Sequence, residues 1–179
     1  SLTSVNIPDS VTQIGRSAFY SCDSLKEFKG RIAEDNGRIL VVDGVLAAFA
    51  PAGITEYTIP DSVTEIGNNA FCACTSLTSV NIGDSVSWIG SSAFEYCDSL
   101  TSVNIPDSVT TIGEGAFLAC NSLTSVYCKA TTPPALGDTS VFDDNGSGRT
   151  IYVPAEAIEA YKSATRWNEY ASAIVGYNF

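Results

Sequence analysis

The fold of this 179-residue chain is decided by the segment LTSVNIPDSVTTIGEGAFLAC, residues 100–120. Its first residues recur at a fixed interval, because the motif Ser-Leu-Thr-Ser-Val begins at Ser76, Ser99 and Ser122, 23 residues apart. Four nearly complete copies of the unit begin at Leu2, Ile54, Leu77 and Leu100. Self-similarity with a period of about 20 to 50 residues is typical of stacked repeats, so we predict a solenoid of about 23-residue coils.

The apolar positions of the unit indicate how one coil packs on the next. Leu100, Val103 and Ile105 have the spacing of a short strand whose alternate side chains point inward. Pro106-Asp-Ser108 then predicts a turn, because proline fixes φ and Asp and Ser bond nearby amides. Each coil also supplies one phenylalanine to a column expected in the core, made of Phe19, Phe71, Phe94 and Phe117.

The period is broken once, since Leu25 and Ile54, which begin successive coils, are 29 residues apart. The sequences Asp35-Asn-Gly37 and Asp43-Gly44 are typical of hairpin turns, and apolar runs flank them. We therefore predict that residues 31–50 form an antiparallel β-meander, which replaces the turn-and-helix half of one coil.

The sequence predicts one structural domain with a solenoid over 1–128 and a loop and C-terminal cap over 129–179. The loop is expected over 129–149, followed by a strand over 150–153 and a helix that Pro154 opens. The helix carries an apolar stripe, with a kink near Thr165-Arg166, made of Ile158, Tyr161, Trp167, Tyr170 and Ile174. Because Ser1 lies inside a repeat, we expect a chain truncated at its N-terminus, whose uncapped edge could pair with another copy.

Composition argues against several classes of function. Twenty acidic and nine basic residues give a net charge of −11, which disfavours nucleic acid and anionic lipid as partners. No apolar run approaches the roughly 18 residues of a transmembrane segment, and no export signal is present. The chain has no histidine and no nucleophile or phosphate-loop motif. We therefore predict no enzyme, no catalytic residues, no cofactor and no metal site.

Two further residue types recur with the coils. Cys22, Cys74, Cys97 and Cys120 share one position, and this arrangement spreads sulfurs along an axis rather than around one metal ion. Neighbouring sulfurs could form disulfides, but buried free thiols are the favoured interpretation. The aspartates of the turn position are interpreted as turn-capping residues rather than cation ligands, and they are Asp9, Asp61, Asp84 and Asp107.

The motifs I-P-D-S-V-T-x-I-G and A-F-x-x-C, with their 23-residue period, resemble the BspA-like leucine-rich repeats of bacterial cell-surface proteins. The insert residues 40–53 and the tail segment Ile151-Tyr-Val-Pro154 resemble Bacteroides-type members. The resemblance implies a right-handed leucine-rich-repeat solenoid, β-rich with short parallel strands, on a secreted or surface-anchored protein. Roles in adhesion or host-protein binding are proposed for some members, and the resemblance implies no catalytic residues.

Polar residues that flank the inward strand positions are the candidate binding site, on the concave face of the solenoid. They are Thr3, Ser4, Asn6, Lys26, Glu27, Lys29, Glu56, Thr58, Thr78, Ser79, Asn81, Thr101, Ser102, Asn104 and Tyr127. Solenoids commonly recognise partners on this face, although the same residues could merely keep a β-surface hydrated.

Two hypotheses of function follow from these features. In the first, a secreted or cell-surface binding module captures an unidentified protein or glycan, in some cases a host molecule. In the second, the solenoid is a structural spacer or self-associates. Near-identical strands in coils 77–99 and 100–122 favour the spacer, whereas the meander and Lys26-Glu-Phe-Lys29 favour recognition.

Overall fold

The computed structural model describes residues 2–179, and most of its elements are strands of two to five residues. The strands are β1 (Ser4–Asn6), β2 (Glu27–Lys29), β3 (Ala33–Glu34), β4 (Ile39–Val42), β5 (Val45–Phe49), β6 (Glu56–Thr58), β7 (Glu65–Ile66), β8 (Ser79–Asn81), β9 (Trp88–Ile89), β10 (Ser102–Ile105), β11 (Thr111–Ile112), β12 (Ser125–Cys128), β13 (Ala135–Leu136), β14 (Thr150–Pro154) and β15 (Ile174–Tyr177). One α-helix, α1 (Ile158–Ser163), and 3₁₀ segments at Asp35–Gly37, Ala155–Ala157 and Trp167–Ala173 complete the elements found in 2–179. Ser1, on which the expectation of a truncated edge rests, lies outside the described residues.

Strands of successive coils pair side by side into two long sheets. The front sheet has six parallel strands in the order β6-β8-β10-β12-β14-β15. The back sheet has the order β3-β4-β5-β7-β9-β11-β13, in which β3, β4 and β5 are antiparallel and the other pairs are parallel. Strands β1 and β2 form a separate two-stranded sheet. The predicted solenoid of stacked coils is confirmed.

The two-residue strands β7, β9, β11 and β13 of the back sheet were not predicted, because the Thr-x-Ile-Gly part of the unit is too short to show alternation. Glycines follow these strands where consecutive coils approach most closely. A Cβ at Gly113 would lie 2.4 Å from the Ser91 amide nitrogen, and one at Gly137 would lie 2.3 Å from the Glu114 nitrogen. Only glycine permits that approach, which explains its place in the repeat.

The third side of each coil consists of turns, so the helix expected in this half of the unit is absent from coils 54–122. Alternate amides of this side donate to the next coil, and the amides between them close tight turns within their own coil. The Phe71 amide donates to the Ala93 carbonyl and the Phe94 amide donates to the Ala116 carbonyl, both at 2.8 Å. Positive φ at Ser92 (54°) and Tyr96 (59°) turns the backbone away from a helical path.

The predicted phenylalanine column is confirmed for Phe71, Phe94 and Phe117. Their ring centroids are 4.9 and 5.1 Å apart, with interplanar angles of 12° and 1°. Phe142 extends the stack beyond Phe117 at 5.6 Å. The inclusion of Phe19 was wrong, because it packs edge-on against Phe28 at 4.9 Å in a different cluster.

The predicted β-meander is present, and it separates two hydrophobic cores. One side of the β4–β5 hairpin, including Ile39 and Leu46, belongs to the main core, which extends to the C-terminal cap. The other side, including Leu40 and Ala48, joins a smaller core with Phe28 and the first coil. Alternation along a strand sends successive side chains to opposite faces, so the hairpin contributes to both cores and displaces Phe19 from the column.

Polar contacts fix this insert to the adjacent coils. The Tyr57 hydroxyl donates to Asp35 Oδ2 at 2.8 Å, and Arg38 Nη1 donates to the carbonyls of Ala50 (3.2 Å) and Ala52 (3.1 Å). Burial raises the pKa of Tyr57 well above its ordinary value, and the bond to Asp35 adds to this shift. The Asp43-Gly44 turn has positive φ at both residues, as predicted for a two-residue hairpin.

Residues 129–149 were expected to be a loop, but they contain β13, which pairs with β11, and the stacked ring of Phe142. The segment is therefore an irregular further coil that supplies strand and core residues without the sequence motif of the earlier units. Its carbonyls also hold the cap, since the Trp167 indole donates to Pro134 O at 2.7 Å and the Tyr161 hydroxyl donates to Ala130 O at 2.9 Å.

The C-terminal cap begins with the predicted strand, which is β14, and a short helix, which is α1. The helix ends at Ser163, close to the predicted kink, and Arg166 has a φ of 71°. The extension of the helical stripe to Ile174 was wrong, because Ile174 begins β15, which pairs in parallel with β14. Within residues 2–179, no helix combines the length and the apolar character that crossing a bilayer requires.

Candidate ligand-binding face

Two rows of side chains cover the outer face of the front sheet. The register of the strands defines the serine row as Glu56, Ser79, Ser102, Ser125 and Thr150. The same register defines the asparagine row as Thr58, Asn81, Asn104, Tyr127, Tyr152 and Val175. Between the rows, Val80, Val103 and Val126 point inward and are buried. This alternation directs both rows toward solvent.

The face defined by these two rows is nearly uncharged, in a chain whose net charge is −11. Glu56, at one end of the serine row, is its one ionisable carboxylate, and the remaining groups are hydroxyls, amides, phenols and one apolar side chain. Parallel strands lie about 4.8 Å apart, so the rows present hydrogen-bonding groups at a regular short interval. Such a face favours neutral ligands that carry many donors and acceptors.

The structure places the predicted site residues on two sheets instead of one. The front sheet holds Glu56, Thr58, Ser79, Asn81, Ser102, Asn104 and Tyr127. The separate β1–β2 sheet and the residues preceding its strands hold Thr3, Ser4, Asn6, Lys26, Glu27 and Lys29. The meander lies between these two groups along the chain, and their sheets are not paired with each other.

Thr78 and Thr101 precede their strands and serve largely to join coils. The Thr78 hydroxyl donates to the Thr55 carbonyl at 2.9 Å, and the Thr101 hydroxyl donates to the Thr78 carbonyl at 3.3 Å. Because these hydroxyls already have a partner in the preceding coil, they are less available to a ligand than Ser79 and Asn81.

Two charged side chains of the β1–β2 sheet, Glu27 and Lys29, form an ion pair with each other. Lys29 Nζ lies 2.9 Å from Glu27 Oε1, and the Ser4 hydroxyl donates to the same oxygen at 3.3 Å. The hydrogen bond from Lys29 holds the pKa of Glu27 below its ordinary value, aided by the charge of Lys29 and the bond from Ser4. An exposed pair of this kind contributes little to stability.

A tyrosine cluster at the C-terminal end of the asparagine row is formed by Tyr127, Tyr152 and Tyr177. The rings of Tyr127 and Tyr152 are stacked, with centroids 4.6 Å apart and an interplanar angle of 11°. Tyr177 meets each of them edge-on at 5.6 Å, and Phe179 continues the cluster at 5.1 Å from Tyr177. Sequence reasoning identified Tyr127 alone, although the alternation of Tyr152 with Ile151 and Val153 would have placed it on the same face.

Of the four cysteines that share one repeat position, Cys74, Cys97 and Cys120 are buried and Cys22 is half-buried. All six thiols within residues 2–179 are free. Cys97 Sγ donates to the Phe71 carbonyl at 3.2 Å and Cys120 Sγ donates to the Phe94 carbonyl at 3.0 Å. Burial raises the pKa of Cys74 and of Cys120 to about 12 and raises that of Cys97 well above its ordinary value. These thiols therefore act as core residues.

We expect denatured, unreduced protein to titrate six thiols, and native protein at pH 8 to react rapidly at Cys22 alone. Cys22 is half-buried, whereas the other five are buried and their thiols carry raised pKa values, which keeps them protonated. Because these folded pKa values exceed the unfolded ones, the neutral thiols stabilise the fold fully below about pH 8.5 and that stabilisation is lost as pH rises toward the folded values. A count of four or fewer thiols after denaturation would contradict this expectation.

The aspartates that recur once per coil lie in turns, as predicted. Asp61, Asp84 and Asp107 are exposed in turns between the two sheets. In one of these turns the Ser108 hydroxyl donates to the Val86 carbonyl of the preceding coil at 2.7 Å. Across residues 2–179, no group of three or more His, Cys, Asp or Glu side chains is arranged to hold a metal ion.

Solved structures of bacterial proteins share this architecture. They include a leucine-rich repeat protein from Eubacterium ventriosum and a leucine rich cell surface protein from Faecalibacterium prausnitzii, each 25% identical to this chain with a TM-score of 0.62. The matches cover 85% and 99% of this chain but only 42% and 52% of those proteins. The chain thus spans about half, or less, of the length of these relatives. No curated protein matches it.

The sequence also matches a family model described as the BspA type leucine rich repeat region. Six copies of the repeat are matched, over residues 1–32 and 46–165. The unmatched gap includes most of the meander, and the match continues through residues 129–149, where the structure shows an irregular coil. The resemblance inferred from the repeat motifs is therefore confirmed, and this chain belongs to the BspA-type leucine-rich repeat family.

Proposed function

We propose that this chain is a non-enzymatic binding module of a secreted or cell-surface bacterial protein, which captures a protein or glycan on the outer face of the front sheet. The observation that carries the proposal is the solvent-facing pair of nearly neutral rows on a rigid stack of coils. A rigid sheet presents its groups at low entropic cost, so modest contacts over several coils can add to useful affinity.

The chemistry of the face supports binding rather than catalysis. The serine and asparagine rows offer hydroxyl and amide groups for hydrogen bonds and phenol rings for stacking. Tyr, Ser and Asn are also the residues that antibody paratopes use, because they combine rigid contact area with adaptable hydrogen bonding. The description of the Faecalibacterium relative as a cell surface protein supports an extracellular or surface location, and capture of host molecules would then serve adhesion.

A structural spacer is the alternative function, and one observation favours it. Ser79 and Asn81 on β8 are repeated as Ser102 and Asn104 on β10, so this part of the face does not vary from coil to coil. The two-stranded β1–β2 sheet, near which Leu2 is exposed, would be the surface for self-association in this alternative. The change to Tyr127 and Tyr152 further along the row favours recognition instead.

The test is binding of the purified chain to arrays of extracellular matrix proteins and of glycans. We expect a specific ligand for the native protein and a loss of at least about tenfold in affinity for the variant Asn81→Arg/Asn104→Arg, which places two bulky charges in the middle of the face. The charge-matched control Ser85→Arg/Thr131→Arg changes exposed residues outside the front sheet and should bind normally. Equal affinity of the front-sheet variant and the control variant for the ligand would reject this face as the binding site.

A further inference from the structure

We propose that the tyrosine cluster is a sugar-stacking subsite, and that the ligand of the front sheet is a neutral saccharide. This inference rests on the proposed function and locates its ligand at the C-terminal end of the asparagine row. It is carried by the juxtaposition of an aromatic stack with amide and hydroxyl side chains on one nearly uncharged face.

Among the aromatic contacts of residues 2–179, the Tyr127 ring is stacked on one side only. Tyr152 covers one side of the Tyr127 ring at 4.6 Å, so the opposite side is directed along the row toward Asn104, which pairs with Tyr127 across the strands. Asn104 is much shorter than a tyrosine, so the side chains of the row extend less far from the sheet at Asn104 than at Tyr127. The edge-on contacts of Tyr177 with both stacked rings hold them in place.

The groups around this step suit a sugar ring. A pyranose has an apolar face of C–H groups that can lie on an aromatic ring, and its rim of hydroxyls both donates and accepts hydrogen bonds. Asn104 and Asn81 supply amide donors and acceptors along the same row, and Ser102 and Ser125 supply hydroxyls in the row beside it. A saccharide stacked on Tyr127 would thus reach polar partners on two neighbouring strands.

The charge of this chain and of its two rows disfavours charged polymers as ligands. The chain has a net charge of −11, and the sole carboxylate of the two rows, Glu56, lies at their opposite end. Sulfated or uronic-acid polymers would be repelled by the whole molecule, and a basic peptide would find no carboxylate beside the tyrosines on the rows. A neutral saccharide meets neither penalty. A proline-rich peptide can also stack on aromatic rings, and it is therefore included in the test.

The test uses the full chain and calorimetric titration with neutral hexasaccharides of glucose, mannose, galactose, xylose and N-acetylglucosamine, together with heparin and hexaproline. The variant Tyr127→Asn installs the residue that the repeat itself has at positions 81 and 104, so the coil is expected to remain folded. Tyr127→Phe keeps the ring, and Tyr96→Asn removes an exposed tyrosine from a turn outside the front sheet.

We expect at least one neutral hexasaccharide to bind, with affinity reduced about tenfold or more by Tyr127→Asn and largely retained by Tyr127→Phe and Tyr96→Asn. Absence of binding by every neutral saccharide, preference for heparin or hexaproline, or equal effects of Tyr127→Asn and Tyr96→Asn would overturn the proposal. An array ligand that is lost in Asn81→Arg/Asn104→Arg but unaffected by Tyr127→Asn would overturn this subsite alone. A ligand unaffected by either change would also overturn the proposed function.

Discussion

Replacing Phe94 with alanine is expected to lower the free energy of unfolding by about 3–5 kcal/mol, which is the usual range for deleting a buried aromatic side chain. Phe94 is fully buried and lies between Phe71 and Phe117, with stacked contacts on both faces. The deletion removes apolar area from the core and leaves a gap that neighbouring coils cannot close, because their backbone bonds fix the spacing. Urea unfolding followed by circular dichroism would measure the loss.

Phe19→Ala is the matched control for this experiment. Phe19 occupies the same repeat position but is only half-buried and contacts Phe28 in the smaller core. Replacing Phe19 should lower the free energy of unfolding clearly less than replacing Phe94, because folding buries less of the apolar surface of Phe19. A loss below about 1 kcal/mol for Phe94→Ala, or an equal loss for the two variants, would contradict the role of the column as the main stabilising element.

Trp167→Ala is expected to release the C-terminal cap and to destabilise the chain by about 3–5 kcal/mol. The indole is fully buried, donates to Pro134 O at 2.7 Å, and packs against Tyr161 (4.9 Å) and Phe142 (5.8 Å). Its loss uncovers the last ring of the column and leaves the Pro134 carbonyl without this donor. Because each coil of a solenoid contacts only its neighbours, unfolding should begin at this end.

Hydrogen exchange would detect that local effect. Amides of β12, β14 and β15 should lose protection in Trp167→Ala before amides of β6 and β8 do, whereas a uniform loss of protection would argue against unfolding from the cap. Trp88→Ala provides the control, because Trp88 is a half-buried residue of the back sheet and lies away from the cap. Its replacement should leave the gradient of protection unchanged.

The polar face illustrates how far sequence reasoning could reach. The alternation in Ser79-Val-Asn81 and Ser102-Val-Asn104 correctly separated the buried valines from the half-buried or exposed serines and asparagines, because side chains of a strand alternate between faces. The same reasoning did not locate Tyr177, since Ile174 and Tyr170 fit a helical stripe equally well and only packing beside β14 makes residues 174–177 a strand. The tyrosine cluster therefore depends on a contact between segments that share no motif.

The sequence by itself determined the coil length, the inward residues of each coil and the hairpin turns of the insert, because these depend on local spacing and backbone preference repeated many times. Tertiary structure alone decided which coils share a core. The β4–β5 hairpin is buried on both sides, so it places Phe19 and Phe28 in one core and Phe49 and Phe71 in another. Tertiary pairing also brought Ala135–Leu136 and Ile174–Tyr177 into the two sheets, because backbone hydrogen bonds to an existing strand edge stabilise a strand whose own sequence does not specify one.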